Sequence, residues 1–384
     1  MKRKIKNILF ITGSRGEWGY IRPILRLIQK DSDLDYKLCV TNMHLLPSYG
    51  SPIDEIIKDG FEVHFKPFMA LDGYNHFSMV KSLGILLSSL ADYLYSDPHD
   101  WIVLAGDRGE QLVGAIVGAY CYIPVAHIQA GELSGNIDGV TRHAIGKYAH
   151  VHFASNEDAA ERLIKLGEQD FRIHNVGAPQ IDEMISANIP SIDSLKKKYA
   201  LSIDDNYILF VQHAVTEDYQ NVNNQIETSI KSLIKINIPV VAILPNNDAG
   251  SYLITNGINQ NRTNLFHCFK NLPREDYLGF LKHSKVIVGN SSSGILEAPT
   301  FKVPAVNIGR RQNMRVRCEN VIDCDFKIKN IVSSIQEAMS TEFNAFLIDN
   351  CLNPYGDGKS SKRIIEIIKS TRVDDRLLTK LLTY

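Results

Sequence analysis

The sequence has no excess of charge of either sign. Its 384 residues include 42 lysines and arginines against 43 aspartates and glutamates. A chain so close to neutral creates no overall field that would hold nucleic acid or an anionic bilayer, so we expect no nucleic-acid and no membrane partner. An anionic ligand would have to be bound by a local site.

Long apolar runs and closely spaced cysteines are also missing. The basic stretch Met1–Lys6 resembles the start of a secretory signal, but Arg15 and Glu17 interrupt the apolar run that follows. No window approaches the roughly 18 apolar residues that a bilayer span requires. The six cysteines are scattered without a CxxC pair, which is typical of a reducing compartment. These features predict a cytoplasmic protein.

Short runs rich in Ile and Val alternate with helical patterns, which is typical of a parallel sheet flanked by helices. The runs are apolar throughout, as expected for strands covered on both faces. The predicted strands are 8–12, 36–40, 101–105, 125–128 and 151–154, followed by 207–212, 240–244, 265–266, 286–289 and 305–308. The predicted helices are 20–30, 111–121, 157–166, 294–298 and one that begins at 361.

The length favours two domains, at roughly 100–200 residues per domain. Similar strand, loop and helix units begin at Asn7 and Asn206, which suggests two related α/β halves in tandem. We therefore expect an N-terminal domain over 1–190 and a C-terminal domain over 191–360. Residues 361–384 form a C-terminal helix that either caps the assembly or crosses back to the first domain.

Two glycine-containing loops follow predicted strands and are candidates for anion binding. Gly13–Gly19 opens the first helix without matching a GxGxxG or Walker pattern. A plain turn is equally compatible with the spacing, and Arg15 favours an anion site. Gly289–Gly294 contains three serines between a strand and a helix, where amides and hydroxyls can cradle a diphosphate. Serine runs also occur in linkers, although rarely at such a junction, and Glu297 one turn later suits ribose hydroxyls.

Carboxylates end two neighbouring predicted strands. Asp107 follows one strand and Glu132 the next, and ligands of open parallel sheets bind beyond these strand ends. The two groups could serve as an acid and a base, or each could cap its following helix. His213 ends a strand of the second half and is a further candidate. His150 and His152 share one strand face, but no third ligand is spaced to complete a zinc site.

Taken together, these motifs occur in the order found in one known family. They are Asp107–Glu110, His127–Glu132, Ser134–Asp138 with Arg142 and His143, Gln212–His213, Gly289–Gly294 and Tyr355–Gly358. The chain resembles the hydrolysing UDP-N-acetylglucosamine 2-epimerases of sialic- and legionaminic-acid biosynthesis over nearly its whole length.

The resemblance implies two Rossmann-like domains in the glycosyltransferase-B architecture, with a UDP-sugar in the cleft between them. It implies a reaction without metal or other cofactor, in which UDP is eliminated to leave a 2-acetamidoglucal that water converts to N-acetylmannosamine. It also implies a homodimer or homotetramer. The first domain would carry the acid and base groups, and the second would bind UDP.

The resemblance also assigns residues. The catalytic set is Asp107, Glu132, His213, Asp138, Arg142 and His143, with the acid and base roles of the two strand-end carboxylates left open. The expected UDP ligands are Arg15, Ser291, Ser292, Ser293 and Arg311 for the diphosphate, Glu297 for the ribose, and Asn246 and Phe269 for the uracil.

One departure from the family pattern concerns the sugar. Gln129 stands where relatives acting on UDP-N-acetylglucosamine have a different residue, and its surroundings look more like the branch acting on UDP-N,N′-diacetylbacillosamine. That compound is therefore an alternative substrate for the same reaction. A glycosyltransferase and a non-catalytic UDP-sugar sensor are alternatives of other classes, and the presence of both Asp107 and Glu132 disfavours them.

Overall fold

The computed structural model describes residues 6–49, 52–71, 75–134, 137–186, 188–246, 248–261 and 263–383. Met1–Ile5 of the basic start, and Gly135 and Asn136 of one predicted motif, lie outside the described residues. The chain divides into two compact units. The first falls within 1–133, 137–186 and 355–384, and the second within 134–136 and 187–354.

The first unit alternates strands and helices. In chain order these are β1 (Lys6–Thr12), α1 (Arg15–Ile28), β2 (Leu34–Val40), α2 (Pro52–Lys58), α3 (His76–Ser96), β3 (Trp101–Ala105), α4 (Gly109–Tyr120), β4 (Val125–Ala130), α5 (Ile137–Tyr148), β5 (Val151–Ala154), α6 (Glu157–Lys165), β6 (Ile173–Asn175) and α7 (Pro179–Ser186). Short 3₁₀ turns cover Asn42–Leu45, Pro47–Tyr49 and Asp170–Arg172.

The second unit repeats this alternation. Its elements are α8 (Ile192–Tyr199), β7 (Ile208–Val211), α9 (Val222–Ile236), β8 (Val240–Ile243), α10 (Ser251–Asn261), β9 (Phe266–Phe269), α11 (Arg274–His283), β10 (Val286–Gly289), α12 (Ser293–Leu296), β11 (Ala305–Ile308), β12 (Val321–Cys324), α13 (Ile328–Ala338) and α14 (Thr341–Asn350). Its 3₁₀ turns are Thr216–Asn221 and Ala298–Phe301. The last two helices, α15 (Ser360–Ser370) and α16 (Asp375–Leu378), belong to the first unit.

Each unit is built on one parallel sheet. Within the described residues, the strand order is β2-β1-β3-β4-β5-β6 in the first unit and β12-β11-β10-β7-β8-β9 in the second. The central strands are buried on both faces, which explains their unbroken apolar sequences. The prediction of two parallel, Rossmann-like α/β domains is confirmed.

Two edge strands were not predicted from the sequence. β6 and β12 each lie at the end of their sheet, and most of their residues are partly exposed. Because an edge strand is covered less fully, it needs no long run of apolar residues: Ile173–Asn175 has one apolar residue, and Asp323 interrupts Val321–Cys324. The pattern that revealed the buried strands was therefore missing at both places.

Helix α3 corrects an expectation about apolar runs. Its 21 residues include an 18-residue window with a mean hydropathy of 1.2, which is long and apolar enough to cross a membrane by length and composition. The statement that no window approaches such a span was therefore wrong. Only 22% of that window is buried, so α3 leaves much of its apolar surface uncovered within its own unit.

The C-terminal helices pack on the first unit. Lys6 Nζ donates to the carbonyl oxygens of Ile368 and Lys369 at 2.8 and 3.0 Å, and Lys369 pairs with Asp31 at 2.7 Å. Arg172 donates to the carbonyl oxygen of Leu377 at 2.7 Å. These bonds tie α15 and α16 to the strands and loops of the N-terminal half of the chain.

Candidate active site

Asp107 and Arg142 form a buried ion pair at the carboxyl end of the first sheet. Asp107 follows β3, and Arg142 lies on α5 with 1% of its side chain exposed. Arg142 Nη2 donates to Asp107 Oδ2, and Nη1 donates to the carbonyl oxygen of Gln129 at 2.7 Å. The guanidinium thereby joins the ends of two paired strands and orients the Asp107 carboxyl group.

Glu132 is held by a different set of donors. It follows β4, which pairs in parallel with β3 through Ala105 and Ile128, so it lies at the same sheet edge as Asp107. Glu132 Oε1 accepts hydrogen bonds from the Ser155 hydroxyl and from Asn156 Nδ2 at 2.7 Å. The carboxyl group is buried and fixed by neutral donors, in contrast to the ion-paired Asp107.

The backbone before Glu132 is unusual. Gln129 has a φ of +60°, and Gly131 has a φ of +78°. A Cβ on Gly131 would lie 2.2 Å from the carbonyl oxygen of Ala159, so only glycine fits there. Positive φ at a non-glycine residue is costly and concentrates at functional sites. In the described part of the chain the buried Nε2 of Gln129 has no hydrogen-bond partner.

The loop that carries Arg15 is fixed by a capping box. Ser14 caps α1, and Glu17 Oε2 accepts from the amides of Gly13 and Ser14 at 2.5 and 2.9 Å. Burial, and then the neighbouring Glu110 carboxylate, raises the pKa of Glu17 to about 8. Glu17 is therefore mostly protonated at neutral pH. Arg15 lies at the start of α1 and is partly exposed.

Two further predicted residues lie on α5. Asp138 is in its first turn and partly buried. His143 follows Arg142, and burial and then the charge of Arg142 lower its pKa. His143 is therefore neutral at physiological pH. The roles predicted for both residues stay predictions.

His213 is positioned from two sides in the second unit. Its backbone N–H donates to Asn290 Oδ1 at 2.7 Å, and its carbonyl oxygen accepts from Asn290 Nδ2 at 2.9 Å. The backbone N–H of Asn246 donates to His213 Nδ1 at 3.4 Å. Because Nδ1 is an acceptor, the proton of the neutral ring is on Nε2, which is thus a donor suited to a phosphate oxygen.

The serine loop begins at a glycine that no other residue can replace. Gly289 has a φ of +133°, and a Cβ there would lie 2.1 Å from the carbonyl oxygen of Val211. Ser291 and Ser292 are partly exposed, whereas Ser293 is buried and donates to Glu297 Oε2 at 2.5 Å. Ser293 thus orients Glu297, and the first two hydroxyls are the accessible ones.

The predicted ribose ligand Glu297 has a second partner. Arg274 Nη2 donates to Glu297 Oε1, and Glu297 is 8% exposed. The carboxylate is therefore oriented by a guanidinium on one oxygen and a hydroxyl on the other. This arrangement fixes the direction in which its remaining lone pairs can accept hydrogen bonds.

Arg311 lies beside the serine loop. Its Nη1 is 3.4 Å from the carbonyl oxygen of Asn290, which also accepts from Gln312 Nε2 at 2.9 Å. The structure thus places a cation next to the loop predicted to bind the diphosphate.

The two predicted uracil contacts lie at neighbouring strand ends. Asn246 follows β8 and donates from Nδ2 to Asp248 at 2.7 Å. Phe269 ends β9, where its ring packs edge-on against Tyr199 with the centroids 5.1 Å apart. Because β8 and β9 pair in parallel, both residues lie at the carboxyl edge of the sheet. Their contact with uracil stays a prediction.

Sequence reasoning missed the residues that position the site. Asn290, Arg274 and Ser155 were not selected, because they meet their partners through the fold and not through local spacing. Asn156 precedes the predicted helix 157–166 and is by its type a suitable N-cap residue. It does cap α6, with Oδ1 accepting from Ala159 N at 2.9 Å, and its Nδ2 also binds Glu132.

A known protein family and its members are similar to most of this chain. The family model described as UDP-N-acetylglucosamine 2-epimerase matches residues 26–369. The chain is 34% identical over 381 residues to the UDP-N,N′-diacetylbacillosamine 2-epimerase (hydrolyzing) of Legionella pneumophila, covering 99% of this chain and 100% of that one. It is also 34% identical to the UDP-N-acetylglucosamine 2-epimerase of Neisseria meningitidis serogroup B, covering 95% of this chain and 96% of that one.

A solved structure supports the fold. The crystal structure of UDP-GlcNAc 2-epimerase from Neisseria meningitidis bound to UDP-GlcNAc superposes with a TM-score of 0.80 at 20% identity, covering 95% of this chain and 100% of that chain. The family model and the full-length relatives confirm the resemblance that the sequence motifs indicated. The chain belongs to the UDP-N-acetylglucosamine 2-epimerase family.

Proposed function

We propose that the protein is a hydrolysing UDP-N-acetylglucosamine 2-epimerase, which converts UDP-N-acetylglucosamine and water to N-acetylmannosamine and UDP. The observation that carries the proposal is the pair of strand-end carboxylates, Asp107 and Glu132, in a chain of this family. Both are fixed by buried donors, as expected for groups that exchange protons with a bound sugar. The six cysteines are free thiols, which agrees with a cytoplasmic location.

The reaction would proceed in two steps. In the first, one carboxylate removes the proton from C2 of the sugar while UDP leaves C1, which gives the 2-acetamidoglucal. In the second, water adds across the double bond, and a proton reaches C2 on the opposite face. The products balance the substrate plus one water.

The second unit would bind the leaving UDP. His213 Nε2–H, the hydroxyls of Ser291 and Ser292, and Arg311 are the donors for the diphosphate, and stabilising the leaving charge lowers the barrier of elimination. Glu297, oriented by Arg274 and Ser293, would accept from the ribose hydroxyls. Arg15, at the start of α1, is a further diphosphate ligand that the family resemblance implies.

A second substrate is supported by one residue. The relative from Legionella pneumophila is named for UDP-N,N′-diacetylbacillosamine, and Gln129 presents a buried amide without a partner among the described residues. Such an amide suits a substrate with an additional acetamido group. UDP-N,N′-diacetylbacillosamine is therefore the alternative substrate for the same reaction.

Product analysis tests the proposal. The protein is incubated with each UDP-sugar separately, without an acceptor, and UDP and sugars are separated by chromatography. We expect UDP and a free 2-epimeric sugar in equal amounts. An epimeric sugar still attached to UDP would identify a non-hydrolysing epimerase, and UDP release only after an acceptor is added would identify a transferase. The ratio of kcat/KM values for the two substrates decides between the sugars.

We further propose that the chain forms a homodimer through α3. Phe77, Val80, Gly84, Leu87 and Ala91 are all exposed and follow one another at alternating steps of three and four residues. This spacing forms one stripe on a helix, and such a stripe packs against a second helix. Gly84 and Ala91 leave room for close approach of the two helices.

The charged residues beside this stripe favour a second copy of the chain as its binding partner. In an antiparallel pair centred between residues 86 and 87, Lys81 of one copy faces the partner's Asp92, and the two-fold axis repeats this pair. Leu87→Asp lies at the centre and should convert the dimer to a chain of 43.1 kDa in light scattering. Val373→Asp, an exposed apolar site elsewhere, should stay dimeric. A wild-type monomer would contradict the proposal, and a tetramer that Leu87→Asp reduces to a dimer would place a second interface elsewhere.

A further inference from the structure

Two cysteines that the proposed reaction does not use lie in contact inside the second unit. The sulfur atoms of Cys318 and Cys351 are 2.9 Å apart, and the residues are 8% and 3% exposed. Cys318 lies between β11 and β12, and Cys351 directly follows α14. They pack with the buried Leu347 and the partly buried Phe343. The fold thus brings together two thiols that are 33 positions apart in sequence.

The two thiols differ in acidity. The hydrogen bond with Cys351, helped by the backbone amides of Asn320 and Glu319, lowers the pKa of Cys318 to about 7. The same hydrogen bond, together with burial, raises the pKa of Cys351. Near neutral pH, Cys318 is therefore substantially a thiolate, which is the reactive form, and its neighbour is a protonated thiol. Redox-sensitive sites combine a solvent-accessible thiolate with a neighbouring thiol that resolves it, and of the two cysteines Cys318 is the more exposed, at 8%.

We propose that Cys318 and Cys351 are a modification site at which a small peroxide forms a reversible disulfide. The Cys318 thiolate attacks hydrogen peroxide, takes one oxygen to become a sulfenic acid, and releases hydroxide. The Cys351 sulfur then attacks the Cys318 sulfur, and the expelled oxygen leaves as water after taking the Cys351 proton. The released hydroxide takes up the proton that Cys318 lost on ionisation, so that overall two thiols lose two electrons and two protons and one peroxide becomes two waters. A thiol reductant reverses the change by exchange.

Bond formation requires little movement of the protein. A disulfide has a sulfur–sulfur distance of about 2.05 Å, so the two atoms must approach by about 0.9 Å from their present contact. Cys318 lies two residues before Asn320, whose buried side chain donates to the carbonyl oxygens of Gly294 and Val303 at 3.1 and 2.9 Å. The bond would therefore tie the end of α14 to a segment that is anchored beneath the serine loop.

The cross-link should stabilise the second unit. It closes a loop that contains β12, α13 and α14, and a closed loop restricts the unfolded chain. We therefore expect the oxidised protein to unfold at a higher denaturant concentration than the reduced protein, and dithiothreitol to return the midpoint to its reduced value.

The test uses the full chain, reduced, freed of reductant and then treated with hydrogen peroxide. Thiols titrated after denaturation should fall from six per chain to four, and peptide mapping should find Cys318 linked to Cys351. Dithiothreitol should restore all six thiols. Mapping of the wild-type protein decides the matter even if a variant fails to fold. A wild-type map with both cysteines unlinked, or with Cys318 oxidised beyond the sulfenic acid, would overturn the proposal.

Two variants serve as matched controls. Cys318→Ser keeps a similar side-chain size, and its five remaining thiols and its unfolding midpoint should not change with peroxide. Cys121→Ser removes an exposed thiol, and it should still lose two thiols and gain stability. Equal loss of thiols in Cys318→Ser and the wild type would show that other cysteines react, and would contradict the assignment.

Discussion

The ion pair between Asp107 and Arg142 gives a prediction with a calculable magnitude. Arg142→Met keeps the length of the side chain but removes the bonds to Asp107 and to the Gln129 carbonyl oxygen. Arg142 is 1% exposed and the Asp107 side chain 18%, so the remaining carboxylate would lose its partner in a largely buried place. Removing one member of a buried pair costs about 3–5 kcal/mol. Because Asp107 keeps some contact with water, we expect about 3 kcal/mol.

The assay is urea unfolding of the full chain, with turnover measured as UDP release. Arg142→Met should lower the free energy of unfolding by about 3 kcal/mol and reduce kcat at least about 100-fold, because Asp107 is no longer oriented. The matched control is Arg363→Met, which breaks an exposed pair with Asp357 and should cost less than about 1 kcal/mol.

A double variant tests whether Arg142 and Asp107 stabilise the protein as a pair. In Arg142→Met with Asp107→Asn no charge is left unpaired, so the double variant should be more stable than the sum of the two single losses by about 1 kcal/mol or more. Losses that add within about 0.5 kcal/mol would show that the pair does not act as a unit. That result would contradict the ion-pair explanation, because the cost of Arg142→Met would then come from lost packing and from the lost bond to the Gln129 carbonyl oxygen.

The remaining predictions concern both units. Arg274→Met removes the guanidinium that orients Glu297 and should weaken UDP binding about 10-fold, or about 1.4 kcal/mol, in calorimetry. An unchanged affinity would contradict ribose binding by Glu297. Asn290→Ala removes both bonds to the backbone of His213 and should lower kcat more than it raises KM in steady-state assays. Burial lowers the pKa of His127 to about 3, below its unfolded value of about 6.5, so the native state resists protonation and stability should fall as pH drops from 6.5 towards 3. His127→Asn should reduce that slope in urea titrations by up to about 1.4 kcal/mol per pH unit, and an unaltered slope would count against a buried neutral ring.

The sequence predicted the strands that are buried on both faces, because burial there requires apolar residues. Strands such as Trp101–Ala105 and Val286–Gly289 are covered on both faces, so their apolar sequences marked them residue for residue. The edge strand Ile173–Asn175 carries no such signal, because solvent replaces one of its neighbours. Helix His76–Ser96 was missed for a different reason. Its buried positions and its exposed apolar stripe together give apolar residues on most sides, which hides the helical period.

The sequence predicted the strand-end groups of the site but not their partners. Asp107 and Glu132 follow recognisable strands, so the topology places them at one edge. Arg142 was selected through the family resemblance, and its contact with Asp107, 35 positions away, could not be deduced from spacing. The same holds for Asn290 and His213, which are 77 positions apart. Such contacts arise only when the sheet is assembled.

In the proposed reaction, Asp107 and Glu132 transfer protons at C2 of a UDP-sugar. The most direct test is the mass of the free sugar formed from UDP-N-acetylglucosamine, and from the diacetamido analogue, in deuterated water. We expect one deuterium at C2 with the wild-type protein. Asp107→Asn and Glu132→Gln should bind UDP normally and form no deuterated sugar. UDP release with a product that carries no deuterium would contradict proton transfer at C2. Deuterium incorporation by both variants at the wild-type level would contradict the roles of Asp107 and Glu132.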